Sequence, residues 1–197
     1  MSRSVAGTEP KRERGQSLVE LAISMPVFLL LLLGMLEFGF AFTHHLTLEY
    51  ATREGARTGA ALANGSAEVS CSSTPNVDDY VIAAVQRVLT SPGSQVSVSQ
   101  VSQIAIYRSS ATGTELTVNL WVPGTGPTVD GEVLQFTRSG ATNWSPCSRN
   151  NGNNPDSIGV RISYRYRYVT PMGSLMGLAG NPTMPLTDRT IMALNPD

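Results

Sequence analysis

Arg12-Glu13-Arg14-Gly15-Gln16-Ser17-Leu18-Val19-Glu20-Leu21 runs into Ala22-Ile23-Ser24-Met25-Pro26-Val27-Phe28, five leucines at 29–33, and Gly34-Met35-Leu36-Glu37-Phe38-Gly39-Phe40-Ala41-Phe42. A basic flank, a small residue, a lone carboxylate and about twenty mostly apolar residues match the length and polarity of a bilayer-spanning helix. Arg3, Lys11, Arg12 and Arg14 precede the span, opposed by Glu9 and Glu13, whereas Thr43-His44-His45 follows it. The excess of basic residues before the span predicts a cytoplasmic N-terminus and an exported C-terminal part.

Three readings of the span compete. A secretory signal peptide has a short apolar region and a small-x-small cleavage site; here the run is too long and the helical pattern continues past Glu37. A plain signal anchor accounts for everything except Glu20. A leader cut on the cytoplasmic side of the apolar run accounts for Glu20 as well. A carboxylate in a membrane helix costs up to about 2.5–3.5 kcal/mol at mid-bilayer and less near the interface. Cleavage after Gly15 would create an amine on Gln16, and Glu20 of one subunit could pair with that amine on a neighbour. The plainer alternative is a Glu20 that snorkels to the headgroups. Pro26 removes one helix hydrogen bond and predicts a kink.

The segment Arg14-Gly15-Gln16-Ser17-Leu18-Val19-Glu20-Leu21, with Pro26 and Leu36-Glu37-Phe38-Gly39, resembles the start of TadE-like pilus-assembly pseudopilins. Tyr50-Ala51-Thr52-Arg53-Glu54-Gly55-Ala56-Arg57 is similar to that family's Ala-x-Arg-Glu-Gly-Ala-Arg segment. The resemblance covers residues 12–62, and Val160–Pro171 with Met172–Leu178 also resembles the family's C-terminal part. It implies cleavage by a prepilin peptidase between Gly15 and Gln16, with Glu20 as an assembly contact. The implied partners are that peptidase, other pilins or pseudopilins, and the Tad inner-membrane platform. The implied role is to initiate, prime or permit assembly or secretion by a Tad/Flp-type pilus machine. Gln16 departs from the aromatic residue or Met found at the first mature position of many type IV pilins.

Beyond the membrane the helix should continue. Leu46–Leu62 lacks proline and carries Glu49–Arg53 at i,i+4 and Glu54–Arg57 at i,i+3, and Asn64-Gly65 is a stop signal. Gln16 to Ala63 then forms one rod of about 70 Å at 1.5 Å per residue. Ala51, Gly55, Ala56, Gly59 and Ala60 give its outer half a small-residue face that admits a close neighbour, either the protein's own sheet or a second subunit. Asp78-Asp79 reads as the N-cap of a second helix. Tyr80, Val81, Ala84, Val85, Val88 and Leu89 form its core stripe, and Ser91-Pro92-Gly93 ends it. Strand patterns follow at Gln95–Tyr107, Glu115–Val122, Glu132–Thr137, Ile158–Thr170 and Thr187–Leu194. Residues 123–157, rich in Gly, Pro, Asn, Ser and Thr, read as a long irregular loop.

The organisation expected is therefore a leader at 1–15, a transmembrane helix at 16–43, an exported helical extension at 44–63 and an α+β domain at 64–197. Its second helix packs on an antiparallel sheet. In Ile158–Thr170 the residues Ile158, Val160, Ile162, Tyr164, Tyr166 and Tyr168 share one face and Arg161, Arg165 and Arg167 the other. Interleaved Tyr and Arg suggest an anionic ligand, but strict alternation is how a half-buried strand separates core from solvent. With a net charge of −1 and Lys11 as the only lysine, no footprint for nucleic acid exists. No metal or cofactor site is expected: the two histidines, His44 and His45, are adjacent, so their side chains diverge on a helix. Glu37 and His44 could touch. Without a histidine after His45 there is no Ser/His/Asp or Cys/His set, and the protein reads as a non-enzyme, although carboxylate pairs could still do acid–base work. Cys71 and Cys147 could form one disulfide if the domain is exported; otherwise they are two free thiols. The alternative function is an unprocessed, single-pass, membrane-anchored extracytoplasmic binding module.

Overall fold

The computed structural model describes residues 13–175 and 183–195. A single helix, α1 (Glu13–Leu62), runs through Pro26 without interruption. It is followed by α2 (Val77–Leu89), β1 (Val101–Ser109), β2 (Glu115–Pro123), β3 (Thr128–Val129), β4 (Glu132–Val133), β5 (Phe136–Ser139), β6 (Ser157–Arg167), a one-turn α3 (Met172–Leu175) and β7 (Thr183–Ala193). Five strands form a sheet in the order β5-β2-β1-β6-β7, every pair antiparallel, and β3 and β4 form a separate ribbon. The long apolar helix, second helix and antiparallel sheet are the α+β class expected.

The small-residue face of α1 meets the protein's own domain. A Cβ on Gly55 would stand 2.6 Å from Val85 Cγ2 and 3.4 Å from Val160 Cγ1, and one on Gly59 would stand 2.6 Å from Ile158 Cδ1. The outer half of α1 is therefore wedged between α2 and β6 at a spacing that only glycine permits. Ala51, Ala56 and Ala60 are buried beside them. Thr52 ties the same face to the edge strand β7, its hydroxyl donating to Asp188 Oδ2 and lying 3.0 Å from Thr190 Oγ1. The core beneath joins Val81, Ile82, Val85 and Leu89 of α2 to Ile104, Ile106 and Trp121 of β1 and β2, and to Ile158, Val160 and Ile162 of β6.

Several local expectations shift. The N-cap of α2 is Asn76, not Asp78: Asn76 Oδ1 accepts from the Asp78 and Asp79 amides, and Asp79 Oδ2 accepts from the Asn76 amide, a reciprocal capping box. Asp78 is instead buried in an ion pair with Arg149. β1 starts at Val101, because Val98–Gln100 forms a 3₁₀ turn. β7 starts at Thr183, and the Glu132–Thr137 strand splits into β4 and β5. Residues 123–157 are not all loop. Gln86 of α2, fully buried, donates to Glu132 Oε1 at 2.7 Å and accepts from the Gln135 amide at 2.7 Å, which fixes the β3–β4 ribbon. Val129, Leu134, Phe136 and Trp144 then join the main core. Asn119 holds the next turn, donating to the Trp144 carbonyl and accepting from the Asn143 and Trp144 amides. The guanidinium of Arg149 lies over the Trp144 ring, 4.4 Å from its centroid. Cys71 and Cys147 are bonded to each other, their Cα atoms 5.0 Å apart. Of the apolar run Met172, Leu175, Met176 and Leu178, the last two lie outside the described residues, as do Arg3, Lys11 and Arg12.

Candidate functional site

Residues 15–32 of α1 are all exposed, and the helix meets the other described residues only from Leu33 onward. Leu18, Val19, Leu21, Ile23, Val27, Phe28 and Leu31 are each more than half exposed. An apolar surface this large on a helix long enough to cross a membrane needs lipid or other helices around it. Ser24 adds no polarity, because its hydroxyl donates to the Glu20 carbonyl at 2.8 Å.

Two carboxylates lie on this helix in opposite circumstances. Glu37 is 5% exposed and saturated. Its Oε1 accepts from the Tyr166 hydroxyl and, at 3.0 Å, from the Val169 amide; its Oε2 accepts from the Thr170 amide at 2.8 Å and from the Thr170 hydroxyl. Glu37 thus clamps the chain leaving β6 onto α1. It does not bond His44, as the heptad spacing suggested. Tyr166 stands between them, with the His44 ring 5.1 Å from its centroid edge-on and 5.6 Å from Tyr164. His44 Nδ1 has no partner among the described residues, and burial pushes the His44 pKa below its ordinary value. The same burial, reinforced by Glu37, raises the Tyr166 hydroxyl well above the usual tyrosine range.

Glu20 is exposed, and its carboxylate has neither a hydrogen bond nor an ion pair to any described residue. It is the only charged residue between Gly15 and Leu36. Gly15 and Gln16 lie at the start of α1, also exposed, and a Cβ on Gly15 would meet nothing within 4 Å. The helical rise puts Gln16 about 6 Å along the axis from Glu20. Gln16, Glu20 and Ile23 line one flank of the helix that none of the described residues covers.

The other singled-out residues take structural places. Tyr164 and Tyr166 are buried in the core, and Arg161 bonds Glu115 through Nε at 2.7 Å, while Arg165 and Arg167 are exposed. No three His, Cys, Asp or Glu side chains converge on a common point among the described residues. The partners of Glu37 escaped sequence reasoning because they follow it by well over a hundred residues and include two backbone amides, which carry no sequence signal.

Residues 15–57 match the family model of the TadE-like protein, as the resemblance of the N-terminal segment indicated. The match begins at Gly15 and ends inside α1, where the helix is packed between α2 and β6. Neither the curated proteins nor the solved structures contain a match to the chain.

Proposed function

We propose that the protein is a TadE-like minor pseudopilin, a structural component of Tad/Flp pilus assembly or secretion. In this reading α1 inserts once into the cytoplasmic membrane with its N-terminus inside, and a prepilin peptidase cuts between Gly15 and Gln16. The apolar helices of this and other pilins then bundle on the inner-membrane platform. The observation that carries the reading is the contrast between two carboxylates on one helix. The Glu37 carboxylate has four donors from its own chain, and the Glu20 carboxylate has none among the described residues.

Glu20 needs an external partner for an energetic reason. Its insertion costs a few kcal/mol, less at the interface than at the centre. Opposite charges about 4 Å apart at an effective dielectric near 20 attract by about 4 kcal/mol, enough to offset that cost. The Gln16 amine of a neighbour is the cation that cleavage creates, and the basic residues before it leave with the leader. A Glu20–Gln16 contact therefore sets the axial register between otherwise slippery apolar helices, and it exists only after processing. A glutamine terminus that cyclised would lose the amine, so the pairing requires Gln16 to stay open.

A lipid-soluble carbodiimide, which joins a carboxylate to a nearby amine, tests the contact in assembled membranes. The expected product is a dimer linked from Glu20 to the Gln16 amine of a pilin neighbour, lost in Glu20→Ala. A dimer of unchanged yield in Glu20→Ala, or none in the unaltered protein, contradicts the pairing.

A further inference from the structure

We propose that the membrane-proximal corner of the exported domain, from Arg165 to Leu175, is a lipid-docking surface that binds anionic phospholipid headgroups of the leaflet from which α1 emerges. The inference rests on membrane insertion of α1, but not on the pilus role or on cleavage.

Depth supplies the first argument. A hydrocarbon core about 30 Å thick takes about twenty helical residues. Counted from Leu18, those residues end at Glu37. The domain already touches α1 there: Glu37 holds Val169 and Thr170, and a Cβ on Gly34 would stand 3.2 Å from Met172 Cε. Gly34 lies about one turn closer to the bilayer centre than Glu37, so α3 sits at or just below the headgroups. The clamp fixes that position, because saturating Glu37 requires the corner to stay on the helix. At this depth Val169 and Leu175 are 64% and 60% exposed. Apolar side chains exposed there meet acyl chains rather than water.

Charge supplies the second argument. β6 runs back along α1 toward the membrane, from Ile158 beside Gly59 to Tyr166 beside Glu37. Arg165 and Arg167 are therefore at its membrane end, both exposed and without an ion pair among the described residues. They line a shallow cleft of about 380 Å³ with Gln100, Ser102 and Thr183, neighbours able to donate or accept hydrogen bonds. Across Ser97–Ser102, Tyr164–Leu175 and Thr183–Leu186 the sequence holds no acidic residue, and residues 176–182 carry no charge. The only carboxylate described nearby, Glu37, is saturated. Two guanidiniums above a pair of immersed apolar side chains match a phosphate above acyl chains, and arginine suits phosphate through its planar fork.

The test uses the full chain in vesicles of phosphatidylcholine, with or without phosphatidylglycerol. Because both native cysteines are bonded, nitroxides can be placed singly at Val169→Cys, Leu175→Cys, Leu31→Cys and Leu116→Cys. Collisional access to oxygen against a water-soluble nickel chelate reads depth. Leu31→Cys should report lipid, which checks the insertion of α1, and Leu116→Cys, at the far end of the sheet, should report water. The corner labels should report the headgroup–acyl boundary and move deeper with phosphatidylglycerol. Arg165→Gln with Arg167→Gln should abolish that dependence, and the paired Lys variants should restore it. A lipid reading at Leu31 with water readings at Val169 and Leu175 overturns the proposal alone. Depth indifferent to lipid charge, or dipolar broadening showing a second copy against the corner, overturns it too.

Discussion

Glu20 and Glu37 are the same residue type on the same helix, and what separates them is who supplies the hydrogen bonds. Removing Glu37 strands two amides, a hydroxyl and the Tyr166 phenol in a partly dry corner. Unsatisfied buried donors cost about 1–3 kcal/mol each, so Glu37→Ala should lower the thermal midpoint of the purified protein in detergent by an amount equivalent to several kcal/mol. An unchanged midpoint would show that the clamp contributes nothing. Glu20→Ala should leave that midpoint alone, because no described residue bonds the Glu20 carboxylate. Its expected effect is normal processing with impaired piliation, and normal piliation refutes the pairing role.

His44 makes the stability of the domain depend on pH. Its folded-state pKa lies below its ordinary value because burial against Tyr164 and Tyr166 disfavours the imidazolium. The unfolded chain then binds more protons than the folded one as pH falls through about 6.5. Stability is fully present above that pH and declines below it. His44→Phe keeps the ring packing and removes the titration, so denaturant midpoints of the variant should be flatter than those of the unaltered protein between neutral pH and the depressed pKa. Equal slopes would show that another group carries the pH dependence.

Among the elements, the outer half of α1 is the part packed into the domain, between α2 and β6. Gly55→Val or Gly59→Val drives methyl groups into Val85 or Ile158, side chains held by the sheet and α2, and overpacking of that kind costs about 1–3 kcal/mol. Unfolding midpoints in denaturant should fall accordingly, whereas Gly39→Val, at a position with nothing within 4 Å, should not move them. Much of this was legible in the sequence: Asn64-Gly65 marked the helix end, the Ile158–Tyr166 alternation marked the buried face of β6, and the small residues of α1 marked a close contact. The neighbour in that contact was not legible, because periodicity says which face is buried and not against what. Residues 123–157 misled for a related reason. Their order comes from Gln86 and Asn119, single polar side chains on distant elements bonding backbone groups, and from Asp78 meeting Arg149. Asp78 looked like a cap because an acidic pair at a helix start usually is one; Asn76, two residues earlier, took that part.

On the scale of the whole molecule, a bare helix carries a well-packed domain that is tied in three ways: by the glycine-lined wedge, the Glu37 clamp and the Cys71–Cys147 bond. The cysteines are 76 residues apart in sequence, and closing a loop of that length stabilises by about 4 kcal/mol in the chain-entropy account. Replacing both with serine should reduce domain stability on that scale, read by denaturation of the membrane-extracted protein, while a loss near zero would show that Asp78, Arg149 and Asn119 hold the region alone. The exposed part of α1 is untouched by any of these ties, as the proposed packing against other subunits requires.

Processing is the premise on which the assembly role of Glu20 stands, since its proposed partner amine does not exist in the uncut chain. Intact-mass analysis of the protein extracted from membranes of cells carrying a prepilin peptidase tests it directly. The extracted chain should begin at Gln16, and the leader should be retained when Gly15 is replaced by a bulky residue. A chain beginning at Met1 or Ser2 would contradict it and favour an unprocessed anchor that displays its β-rich domain outside the membrane.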